Sequence, residues 1–153
     1  MDILARCKKL GIEIPTARQP GGTFSPVVKV GELVFTSGQT AKIEGKLLYI
    51  GKVGSDLTLE EGQEAAKICV RNCLALINDF GGGLDNVKRI VRLTGYVNSA
   101  HGFTKQGAVI EAASHLLYQI FGELGLHART SFGVTELPGD SACEIELIAQ
   151  VAI

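Results

Sequence analysis

Two pairs of side chains near the C-terminus have the types and spacing to act on a small charged molecule. Arg129 and Ser131 stand two residues apart, and so do Glu144 and Glu146. Both pairs fall in segments that read as strands, 128–135 and 142–153. Side chains alternate faces along a strand, so each pair shares a face. A guanidinium beside carboxylates can fork the carboxylate of a ligand while a Glu moves protons. The plainer alternative is a cross-strand ion pair on a wet sheet face, which contributes little. Tyr96 and Arg92, on a middle strand, are within reach of the same face. Tyr96 also reads as a packing residue, and Arg92 as the partner of a Glu.

The two segments are joined by Leu137-Pro138-Gly139-Asp140, strong turn chemistry, and read as a hairpin. In segment 142–153 the odd positions Cys143, Ile145, Leu147, Ala149, Val151 and Ile153 are all apolar. In segment 128–135 the apolar set is Ala128, Phe132 and Val134, with Thr130 among them. Matching these apolar faces puts Arg129, Ser131, Glu144 and Glu146 together on the other one. That face also carries Ile148, Ala152, Ile90 and Tyr96, a mixture that suggests burial by another subunit.

Earlier elements must support this hairpin. Residues 1–12 read as a short amphipathic helix or turn, and 15–26 as a loop. Strands 27–30 and 33–37 meet at Gly31-Glu32, a tight hairpin signal. Residues 38–56 are loop-rich, with a small hairpin at Glu44-Gly45. Thr58 followed by Glu61 is a capping-box pattern that starts a helix over 59–80, and Gly81-Gly82-Gly83 stops it. A strand over 87–97 and a helix over 104–124 follow. The order β-β-α-β-α-β-β describes one α+β domain over 1–153, a single sheet with two helices packed on one face.

Composition narrows the function. The chain has 153 residues, 46% of them apolar and 20% charged, which excludes general disorder. Its mean hydropathy of +0.23 is high for a small monomer. No window offers about 18 uninterrupted apolar residues, so the excess points to subunit contacts rather than a membrane span. Fifteen Lys and Arg balance sixteen Asp and Glu, with no basic run, so no nucleic-acid footprint is visible. Cys7, Cys69, Cys73 and Cys143 form no Cys-x-x-Cys pair and read as buried free thiols in a reducing compartment, by default the cytoplasm. His101, His115 and His127 are scattered away from the cysteines, so no zinc site is expected and each reads as a structural or surface residue.

The segment Ala128-Arg129-Thr130-Ser131-Phe132-Gly133-Val134, then Leu137-Pro138, then Glu144-Ile145-Glu146, resembles the C-terminal signature of the reactive intermediate deaminase family (RidA/YjgF, once labelled L-PSP endoribonucleases). Ser37-Gly38-Gln39 resembles that family's Ser-Gly-Gln, and Gly22-Thr23-Phe24-Ser25-Pro26 stands where many members have Gly-Pro-Tyr-Ser-Gln. The resemblance runs from about residue 20 to the end. It implies a chorismate-mutase-like fold and a homotrimer with pockets between subunits. It also implies that Arg129 binds the carboxylate of an imine or enamine such as 2-aminoacrylate. Glu144 would activate the water that attacks the imine carbon and releases ammonia. Phe24, Ser37, Gly38 and Tyr96 would help line the pocket, and no metal or organic cofactor would be used. Several departures mark a divergent branch. Ser131 replaces a common Cys, Phe24 replaces a Tyr, and Gly107 falls near a frequent Asn. The second helix is longer by about one turn, and residues 1–15 form an unusual extension. Two further readings are a non-catalytic module that binds a small carboxylate or 2-oxo acid, and a ribonuclease, which the charge balance disfavours.

Overall fold

Helix α1 (Ile3–Lys9) opens the chain, its first turn closed by the Asp2 carboxylate, which accepts the Ala5 amide at 2.9 Å. Strands β1 (Val27–Val30) and β2 (Leu33–Thr36) form the expected hairpin, with Gly31 at φ +60 in its turn. Three two-residue strands follow: β3 (Gln39–Thr40), β4 (Lys42–Ile43) and β5 (Lys46–Leu47). The small β4–β5 hairpin turns at Glu44 and Gly45, both with positive φ, as a primed two-residue turn requires. Helix α2 (Leu59–Phe80) begins with both bonds of the Thr58–Glu61 capping box in place. Strand β6 (Val87–Asn98), helix α3 (Gln106–Phe121), strand β7 (Ala128–Val134) and strand β8 (Cys143–Val151) complete the chain. Helix α3 is shorter than the expected 104–124, because its last turn tightens into a 3-10 segment at Gly122–Gly125. The computed structural model describes residues 2–152, so the expected helix start at Met1 and strand end at Ile153 lie outside the described residues.

The main sheet runs β1-β2-β8-β6-β7, with β3 pairing beside β2 along β8. Helices α2 and α3 cover one face, as expected for the α+β class. The sheet contributes Val34, Leu93, Val97, Ile145, Leu147 and Ala149 to the core, and the helices contribute Cys69, Cys73, Ile77, Ile110 and Leu117.

The pairing of the last two strands differs from the sequence reading. Strands β7 and β8 do not form a hairpin, because β6 lies between them, parallel to β7 and antiparallel to β8. The cause is the connection through α3. A strand, a helix and a second strand form a crossover that lays the second strand parallel beside the first. Strand β8 then takes the other side of β6. A second difference lies at Ile90, which the sequence places with Arg92 and Tyr96. The register of β6 against β8 shifts between Ile90 and Arg92, and this bulge returns Ile90 to the core.

Gly95 permits the close approach of α3 to the sheet. A Cβ there would lie 2.7 Å from Ile110 Cδ1 and Cγ1. Ile110 is fully buried and has nowhere to move. Gly95→Ala is therefore expected to destabilise the fold by about 1–3 kcal/mol in urea denaturation, through overpacking.

Candidate functional site

The sheet face turned away from α2 and α3 is uncovered in the single chain. Register pairs Val28 with Phe35 and Phe35 with Ile148, and pairs Val30 with Leu33. Val30 is 63% exposed and Phe35 38%. A contiguous apolar sheet face open to water is an association surface by its chemistry.

Glu144 and Glu146 stand on this face, opposite Tyr96 and Thr94 of β6. The Tyr96 hydroxyl donates to Glu146 Oε1 at 2.7 Å, and its ring meets Phe132 edge to face, centroids 5.1 Å apart. Glu144 is half-buried, and among the described residues its carboxylate accepts no hydrogen bond. Burial, and then the charge of Glu146, push its carboxyl above the usual carboxylate range.

Gly38 lies directly over that carboxylate: a Cβ at this position would collide with Glu144 Oε2. The backbone reaches this close because the register on β8 slips by one residue between Phe35↔Ile148 and Gln39↔Ile145. Ser37 and Gly38 form the resulting bulge. The Ser37 hydroxyl donates to the Ser25 carbonyl at 2.6 Å, and the Ser37 amide donates to the Pro26 carbonyl at 2.9 Å. Ser37 thus fastens the loop that carries Phe24. Phe24, Ser37 and Gly38 line one cleft of about 720 Å³, between the 13–21 strap, the β4–β5 hairpin and α2. Glu144 and Tyr96 do not line this cleft; Gly38 links it to them, since Gly38 lies against Glu144 and Glu144 pairs with Tyr96.

Arg129 and Ser131 are elsewhere. They pair with Leu93 and Gly95 of β6, whose partners on β8 are Leu147 and Ile145. Paired residues share a face, so Arg129 and Ser131 look toward α3, while Glu144 and Glu146 look away from it. The expected common face is not present within one chain. The inference failed because Ala128, Thr130, Phe132 and Val134 turn outward with the rest of the uncovered apolar face. With both faces apolar, hydrophobicity alone could not tell inside from outside.

On its own face Arg129 is tightly engaged. Its Nη1 donates to Glu111 Oε2 at 2.5 Å and to Ser114 Oγ at 3.1 Å. Ser114 Oγ is 2.9 Å from His127 Nε2, and His127 Nδ1 is 2.7 Å from the Gly125 carbonyl oxygen. Burial lowers the His127 pKa, the Gly125 carbonyl opposes that, and Arg129 lowers it further. The hydroxyl of Ser131 is buried with no partner among the described residues. Sequence reasoning missed Glu111, Ser114 and the engagement of His127. The parity of His127, Arg129 and Ser131 along one strand face was the available signal.

This arrangement sets a guanidinium held by Glu111 and Ser114 on one face and a desolvated carboxyl on the other. The thiols are poor nucleophiles, since burial raises Cys69 and pushes Cys73 up to about 12. Among the described residues no group of three or more His, Cys, Asp or Glu side chains is placed to hold a metal ion.

The Tyr96–Glu146 bond has a pH signature. The carboxylate of Glu146, with burial second, favours the neutral phenol and pushes its pKa up to about 12 from 10.0. A group whose ionisation is delayed by folding stabilises the fold below its unfolded pKa and loses that contribution as pH rises through the folded one. Ultraviolet titration should show a phenol ionising near pH 12. Tyr96→Phe should remove that step and flatten the loss of stability across the same window.

The chain matches, over residues 5–151, the profile of the family described as "YjgF/chorismate mutase-like, putative endoribonuclease". Protein TCP17 of Trypanosoma cruzi is 36% identical over 150 residues, spanning 97% of this chain and 94% of TCP17. A crystal structure from Shewanella oneidensis superposes with a TM-score of 0.92 at 34% identity, covering 97% of this chain and 99% of that one. The YjgF gene product of E. coli superposes with a TM-score of 0.64 at 23% identity, covering 88% of this chain and 93% of that one, which shows the same fold. With nearly its full length matched by the profile, and the Arg129, Glu144 and Ser37-Gly38 motifs in place, the chain belongs to the RidA/YjgF family.

Proposed function

We propose that this protein hydrolyses small imines or enamines that carry a carboxylate, of the 2-aminoacrylate type, at sites completed between the subunits of a homotrimer. The observation that carries the reading is Glu144. It is a half-buried carboxyl with a raised pKa and no partner among the described residues, set on an uncovered apolar face beneath Gly38. A carboxyl whose pKa is raised by burial holds its proton more readily than a solvated one and is suited to passing protons to and from water.

Arg129 supplies the complementary half, but from the opposite face and from the far edge of the sheet. One small substrate therefore engages both groups only if a second copy takes part. A head-to-tail ring accomplishes this, because such an interface joins two different surfaces of the same chain and closes by rotation. The β7 edge of one copy would meet the Phe24–Ser37–Gly38 neighbourhood of the next. The uncovered face with Phe35 and Ile148 would supply the buried area.

In the reaction, Arg129 holds the carboxylate and so fixes the imine carbon. An enamine first tautomerises to its imine by moving the N–H proton to carbon. Glu144 then takes a proton from water as the water oxygen bonds to the imine carbon, and returns that proton to nitrogen. As the C–N bond of the carbinolamine breaks, its hydroxyl proton passes through Glu144 to the nitrogen, giving a 2-oxo acid and ammonia. Positioning and general acid–base assistance suffice for an intrinsically labile bond. All four cysteines are free and buried, which suits a cytoplasmic, reducing location.

Ammonia release from 2-aminoacrylate generated in situ tests this directly. Glu144→Ala should lower kcat about 100-fold. Arg129→Ala should raise KM about tenfold or more, as expected for losing a charged hydrogen bond. Wild-type release no faster than buffer would remove the deaminase reading. If 2-oxobutanoate then still bound through Arg129, and bound equally in Glu144→Ala, the protein would be a binding module. Phosphodiester cleavage is disfavoured by the net charge of −1 and by two carboxylates on the open face.

Assembly gives a separate test. Phe35→Asp puts a charge on the uncovered face while leaving the helix-covered core intact. It should abolish both the trimer, measured by light scattering, and the ammonia release. Activity retained in a monomer would contradict a shared site.

A further inference from the structure

The geometry points to Ser114, His127 and Glu111 as positioning residues that clamp one end of the Arg129 guanidinium, so that its other edge is presented to a substrate carboxylate. This inference rests on the reading of Arg129 as the carboxylate anchor.

The direction of each hydrogen bond follows from the chain of partners. The Gly125 carbonyl can only accept, so His127 Nδ1 carries the proton and donates to it. In the neutral ring Nε2 is then an acceptor, and the Ser114 hydroxyl donates to it. The remaining lone pairs of Ser114 Oγ face Arg129, whose Nη1 donates to them at 3.1 Å. The same Nη1 donates to Glu111 at 2.5 Å. A backbone carbonyl thus fixes the imidazole, the imidazole fixes the hydroxyl, and hydroxyl and carboxylate together fix Nη1.

Only that nitrogen is used. Among the described residues Nε and Nη2 of Arg129 have no hydrogen-bond partner. Those two N–H groups lie on one edge of the planar fork and match the two oxygens of a carboxylate. Gly107, on the first turn of α3, keeps that side open. A Cβ there would already stand 3.8 Å from Nη2, and any longer side chain would extend into the space. A long flexible Arg held in advance loses less rotamer freedom when the ligand arrives. The arrangement also sets specificity for a planar anion able to take two parallel hydrogen bonds, as a 2-imino or 2-oxo acid does.

Calorimetric binding of 2-oxobutanoate to the full-length protein, together with steady-state kinetics, tests the clamp. Ser114→Ala and His127→Ala should each raise Kd for 2-oxobutanoate, and KM for the imine, about tenfold, the effect of loosening one charged hydrogen bond. Values of kcat should stay within about threefold of wild type, since proton transfer is untouched. Ser114→Thr, which keeps the hydroxyl, and His127→Gln, which keeps a donor and an acceptor, should restore most of the affinity. Glu111→Gln provides a variant with no packing loss if the alanine proteins fold poorly, and should weaken binding in the same way. If Arg129→Ala abolishes binding while Ser114→Ala and His127→Ala bind like wild type, the clamp is wrong and the anchor stands. If Arg129→Ala itself binds like wild type, the reading of the anchor fails. Equal losses in kcat and KM that the conservative variants do not rescue would make Ser114 and His127 general scaffold residues and overturn the proposal.

Discussion

The parallel pairing of β7 with β6 is the constraint on which the rest of the structure depends. It follows from using α3 as the connection between the two strands, and it decides what every β7 side chain faces. Register sets Leu93 against Arg129 and Gly95 against Ser131. Both are forced toward α3, where Glu111 and Ser114 wait. Gly95 is part of the same arrangement, because its missing side chain lets α3 sit close enough to reach Arg129. An antiparallel β7–β8 hairpin with its apolar faces matched would have set Arg129 and Glu144 on one face. The crossover keeps them apart, so each retains a free bonding edge.

Keeping the carboxyl unpaired needs its own device, which lies in the bulge at Ser37–Gly38. The one-residue slip in register draws the backbone over Glu144 and strips water from it. Glu146 adds like charge, and Tyr96 donates to Glu146, a bond that favours its ionised form. With Glu146 hydrogen-bonded by Tyr96, the site keeps its perturbed carboxyl without a second unsatisfied one beside it.

Much of this was legible in the residues. The capping box at Thr58 and Glu61, the turns at Gly31 and Gly45, the two helices on one face and the apolar alternation of β8 all follow local rules that tertiary packing did not overturn. The Arg129, Ser131 and Glu144 signature was enough to point to the family. What the residues could not supply was the side of the sheet on which Arg129 lies. Alternation reports a face only when one face is polar, and Phe35, Ile148 and Phe132 make the outer face apolar too. Ile90 failed for a different reason, a bulge that shifts parity within one strand. His127 looked isolated because its partners, Ser114 and Gly125, come from a helix and a turn whose contacts are set only in three dimensions.

The apolar excess and the near-zero net charge acquire a common meaning from this geometry. A face such as that around Phe35 is expensive to leave in water, so the lone chain carries an unsatisfied surface as well as a divided pair of functional groups. On the proposed reading one event resolves both. Covering the face removes water from around Glu144, and the low dielectric that raises its pKa also strengthens an Arg–carboxylate contact brought against it. Large net charge on the subunits would oppose that association by mutual repulsion, whereas fifteen positive and sixteen negative groups do not. On the proposed reading, recognition of a small anion is set by the orientation of one guanidinium, which Glu111, Ser114 and His127 hold before the anion arrives.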